Sequence, residues 1–141
     1  MTTTTSTFPL LTRTSAFLRN ALLADAVVSG ATGALMALAA GPLEPVLQVP
    51  GLLLRIAGLA LLPYAAFVAL LAQRDVPPRG LVWLVVAGNA MWAVDCVALL
   101  FTGWIEPSLL GVAFILMQAV VVAAFAELQV VGLRRIAPAT S

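Results

Sequence analysis

LVWLVVAGNAMWAVDCVALLF, residues 81–101, is the stretch whose reading decides the fold. A hydrocarbon core of roughly 30 Å is crossed by about 20 helical residues, and this run reaches that length with one charged side chain, Asp95. Its apolar residues lie on every side of a helix, without the period-two alternation of a barrel strand. It reads as a transmembrane helix.

Three further runs of the same kind flank it, near 18–40, 51–72 and 109–131. With 62% hydrophobic and 9% charged residues, the 141-residue chain departs far from a water-soluble balance. The connections are about ten residues or fewer, which leaves no room for a soluble domain and makes sequential helices antiparallel. The expected fold is all-α: a polytopic membrane protein with an antiparallel four-transmembrane-helix bundle over 17–135. A disordered cytoplasmic tail is expected over 1–16, where MTTTTST is polar and of low complexity, and a second tail over 136–141. A rival reading takes Ala37-Leu38-Ala39-Ala40 as the cleavage site of a leader, against which Asp25 interrupts the apolar run.

The chain has no lysine, so the arginines set the orientation. Positive side chains near span ends stay on the cytoplasmic side. Arg13, Arg19, Arg74, Arg79, Arg134 and Arg135 fall on one side of a four-span arrangement, and Arg55 alone falls near the other. Both termini and the 73–80 loop are therefore expected in the cytoplasm, in a bacterial-type inner (plasma) membrane, with the 41–50 and 102–108 loops outside. Trp83 and Trp104 suit interfacial anchors at the two ends of the third span.

Several chemistries are excluded. Without histidine there is no histidine-ligated haem or zinc and no Ser-His-Asp triad; no cofactor and no metal is expected. Cys96, the single cysteine, reads as a small packing residue within a span. A net charge of +1 offers no basic patch for nucleic acid. The expected partners are membrane lipid and a homo-oligomer or larger membrane complex.

The outer loops share a G-x-x-E-P pattern, Gly41-Pro42-Leu43-Glu44-Pro45 and Gly103-Trp104-Ile105-Glu106-Pro107. Two fused copies of one helical hairpin would explain it, as would convergence on the same helix punctuation, glycine to end a helix and proline to begin one. The polar residues do not follow the repeat.

An ionisable group inside a span costs on the order of 2.5–3.5 kcal/mol at the bilayer centre and usually has a partner. Arg55 and Asp95 differ in expected depth by about one turn and are expected to pair. Glu127 and Arg134 share a face of the fourth span and form a second expected pair. Asp25, Ser29 and Thr32 make a polar stripe on the first span, beside a small-residue strip of Ala26, Gly30, Gly33 and Ala37 suited to close helix approach. Asn89 and Trp92 precede Asp95 on one broad face of the third span. Gln118 lies near the midplane, and Tyr64 follows Pro63, where a kink is expected. Asp25, Ser29, Thr32, Tyr64, Asn89, Trp92 and Gln118 are thus the candidates for a ligand or ion pocket, with packing between helices as the alternative role for each.

These residues leave three functional classes. The leading one is a non-enzymatic membrane protein acting through helix–helix interaction, as an accessory or assembly subunit or a homo-oligomer, or holding a small apolar ligand within the bundle. The alternative is a small-solute or proton-coupled transporter or channel using Asp25. A lipid-modifying enzyme is disfavoured by the lack of a nucleophile motif or clustered metal carboxylates.

Overall fold

Each apolar run becomes a helix long and apolar enough to cross a membrane: Ala16–Leu38 within α1 (Thr2–Leu38), α3 (Gly51–Ala72), α4 (Arg79–Thr102), and Leu109–Arg135 within α5 (Leu109–Thr140). A computed structural model describes residues 16–135; the two expected tails lie outside the described residues, except for Ala16, which is part of α1. α3 is continuous across Pro63.

One element was not expected. The first span stops at Leu38, and most of the following loop is the short helix α2 (Ala40–Leu47). Ala39 bends the chain, yet its amide still bonds the Leu35 carbonyl at 2.8 Å and its carbonyl accepts from Leu43 at 2.9 Å. Pro42 sits in the first turn of α2, where no donor is needed. Gln48 closes α2 in the left-handed conformation at φ 53°, donating its N–H to the Glu44 carbonyl at 2.7 Å.

The second G-x-x-E-P copy takes another form. Gly103 adopts φ 78° and ends α4, a conformation that glycine reaches without steric cost, whereas Gly41 lies inside α2. The same five-residue pattern therefore ends one span and begins a helix after the other.

The helices pack as two antiparallel pairs, α1 with α3 and α4 with α5, and α1 also lies along α5. The α1–α3 seam is built on glycine. A methyl group added at Gly58 would lie 2.6 Å from the Ala37 amide nitrogen and 2.6 Å from the Gly33 carbonyl oxygen. Backbones approach this closely only where side chains are absent, the usual basis of helix association in lipid. The small strip of α1 meets α3 here. By contrast, α3 and α4 barely touch.

Two apolar clusters fill the interior. One contains Leu18, Leu22, Val68, Leu71, Val82 and Leu133; the other, toward α2, contains Met36, Leu47, Leu54, Leu61 and Ile115. At the end nearer the first cluster Arg19 meets Asp75 at 3.7 Å, Arg79 donates to the Leu133 carbonyl at 3.3 Å, and Arg135 lies 4.2 Å over the Phe17 ring. At the other end Ser108 fastens α5 to α2: its N–H bonds the Leu47 carbonyl at 2.9 Å and its hydroxyl the Val46 carbonyl at 2.7 Å.

Candidate functional site

Asp25 is fully buried, and four helices meet on its carboxyl group. Its position about two to three turns into the span Ala16–Leu38 brings it level with points about two to three turns in from the same end of the spans in α3, α4 and α5. Ser29, one turn along α1, donates to Oδ1 at 2.9 Å. Asn89 of α4 and Gln129 of α5 each donate to Oδ2 at 2.8 Å. The Tyr64 hydroxyl of α3 lies 3.5 Å from Oδ2 and 3.3 Å from the Val85 carbonyl oxygen, so its one hydrogen has two acceptors within reach.

The amides close the network. The Asn89 side-chain nitrogen also donates to Gln129 Oε1 at 3.2 Å, spending both of its hydrogens on buried acceptors. A carboxylate accepts only, and here neutral donors take the place of water around it. Asp25, Ser29, Asn89 and Gln129 are all buried, and the cluster satisfies itself.

A second polar contact lies farther along the bundle. The Trp92 indole N–H donates to Gln118 Oε1 at 3.1 Å, fixing the ring across α4 and α5. Three cavities meet at this indole. The one toward α2, about 150 Å³, is lined by Leu54 and Ala57 of α3, Trp92, Asp95 and Cys96 of α4 and Gln118 of α5, among others. A second, about 140 Å³, adds Thr32 and Ser29. The third, about 170 Å³, lies between α3 and α4 and is lined by Ser29, Tyr64, Asn89 and Trp92. The sparse contact between α3 and α4 leaves the first and third of these spaces unfilled. Asp95 both lines the first cavity and is exposed on the bundle surface, so that cavity reaches the lipid-facing side there.

The candidates thus fall into two groups. Asp25, Ser29, Tyr64 and Asn89 come together around one carboxyl group, while Trp92, Gln118 and Thr32 line cavities beside it. Arg55 and Asp95 do not pair: both are exposed, and the one ion pair among the described residues is Arg19–Asp75. The helical phase explains it. Leu53, Leu54 and Ala57 turn inward from α3, which leaves Arg55 on the outer face, one turn from the helix end, where its long stem can carry the guanidinium to the interface. Glu127 and Arg134 line one shallow hollow on α5 without forming an ion pair.

Gln129 was missed from sequence. Its signal is its spacing from Gln118, three helical turns along one face of α5 that also holds Val122 and Leu133, both buried. Among the described residues no three Cys, Asp or Glu side chains gather as a metal site. Compared with family models, curated proteins and solved structures, the chain finds no match.

Proposed function

We propose that this polytopic membrane protein is non-enzymatic and holds a small apolar ligand in the space between α3 and α4, admitting it sideways from the bilayer. The observation that carries this reading is the roughly 150 Å³ cavity that stands against Trp92 and opens at Asp95 on the lipid-facing surface. Cavities in protein interiors are normally filled by side chains, and a dry apolar cavity of this size accepts a benzene-sized molecule. The experiment is native mass spectrometry of protein released gently from its membrane, beside an Ala57→Trp variant that fills the space. A small apolar mass retained by the parent and absent from the variant supports the reading; an identical pattern in both overturns it.

A second reading, proton-coupled transport through Asp25, is favoured by one feature: Ser29, Tyr64 and Asn89 contact its carboxyl and also line the roughly 170 Å³ cavity. Proteoliposome flux that Asp25→Asn leaves unchanged would end it. For either reading we place both termini in the cytoplasm, because Arg19, Arg79 and Arg135 gather at one end of the bundle. Labelling of a cysteine introduced at Ser141, from the cytoplasmic side only, is the expected result. Association with a second copy in the membrane remains part of the proposal, and cross-linking in native membranes tests it.

A further inference from the structure

Asp95 is the group that the packing leaves unexplained. It lies about two turns, or ~10 Å, inside the end of α4, it enters no ion pair among the described residues, and it borders the cavity whose other walls are almost wholly apolar. A carboxylate at that depth is retained only where something compensates it. The two side chains nearest in kind, Cys96 and Gln118, line the same cavity and carry no positive charge. Beside Asp95, one turn back along α4, the Trp92 ring lines the same cavity, held in place by its bond to Gln118 at 3.1 Å. A carboxylate and an aromatic face in one apolar hollow form the pair that recognises an organic cation, by charge on one side and cation–π attraction on the other.

We infer that the ligand of this cavity is a lipophilic amine, its ammonium group at Asp95 and its apolar part against Trp92. This rests on the reading of the cavity as a ligand site. The same ammonium chemistry is carried by aminophospholipids. A phospholipid, however, would have to bring its phosphate to the same depth beside a carboxylate, whereas a single-charge amine brings none, so the free amine is the occupant.

The test uses the full chain in phosphatidylcholine nanodiscs with Trp83→Phe and Trp104→Phe, two exposed tryptophans outside the cavity, so that emission comes from Trp92. Two bromine-bearing probes quench it on contact: ω-bromo-octylammonium and its uncharged counterpart ω-bromo-octanol. The amine is expected to quench saturably at a concentration ~10-fold below the alcohol, a factor equal to about 1.4 kcal/mol. Asp95→Asn should erase that difference while leaving quenching by the alcohol in place, and Asp95→Glu should keep it. Saturable quenching by both probes at equal concentrations overturns the cation assignment alone. If neither probe saturates, the cavity itself is no ligand site and the proposed function falls with it. Displacement of the amine when phosphatidylethanolamine is added to the nanodisc would make the occupant an aminophospholipid and overturn the free-amine assignment.

Discussion

Of the three carboxylates within the spans of this protein, Asp25 and Asp95 are treated oppositely by the fold. Asp25 is fully buried, with donors from all four long helices converging on it. Asp95 is exposed at the rim of an apolar cavity and enters no ion pair among the described residues. The difference is one of neighbours. Around Asp25 each adjoining helix contributes a hydroxyl or amide at matching depth; around Asp95 the adjoining flank of α3 offers leucine and alanine. A carboxyl within a span can therefore be part of the structure in one place and an open valence in another.

That contrast can be broken most directly at Asp25. Asp25→Ala strands the amide of Gln129 and the hydroxyl of Ser29 and leaves Asn89 only its bond to Gln129, and should cost about 2–4 kcal/mol, since each buried donor left unpaired costs about 1–3 kcal/mol; thermal or denaturant unfolding in detergent measures it. A loss below about 1 kcal/mol would mean that the network does not hold the bundle together. Gln129→Leu removes one donor to Oδ2 and the acceptor of Asn89, with an expected loss of about 1–2 kcal/mol. The bond between those two amides should appear in a double-mutant cycle of Asn89→Ala with Gln129→Ala as a coupling of about 0.6 kcal/mol, the usual scale for polar pairs between membrane helices. Asp95→Asn should change stability least, by no more than about 0.5 kcal/mol or with a gain, because a charge leaves hydrocarbon and no pair is broken. Its effect should add to that of Arg55→Gln within about 0.5 kcal/mol; a clear coupling would show that the two do meet.

The spans were legible because they depend on length and apolarity, which a sequence displays directly: Gly51–Ala72 was readable to the residue, and the others to within a few. α2 was not legible, since Gly41-Pro42-Leu43-Glu44-Pro45 read as punctuation ending one span and beginning the next, whereas the structure keeps all five residues inside a short helix of its own. Asp25, Ser29 and Asn89 stood out as polar intruders, but nothing in the chain said that they share one centre. That depends on matching depth across four helices, and Gln129, two residues from Glu127, carries no charge to set it apart near the end of its span. The expected Arg55–Asp95 contact failed for a related reason: depth can be estimated from rise per residue, whereas azimuth depends on which face each helix turns inward.

The clasp at Ser108 has a mechanical meaning. It lashes α2 to the beginning of α5, while the glycine seam locks α1 against α3, so α3 and α4 are the neighbours left with least between them. The α3–α4 face, bridged by the Tyr64 hydroxyl beside the Val85 carbonyl, is then where the bundle has least holding it shut.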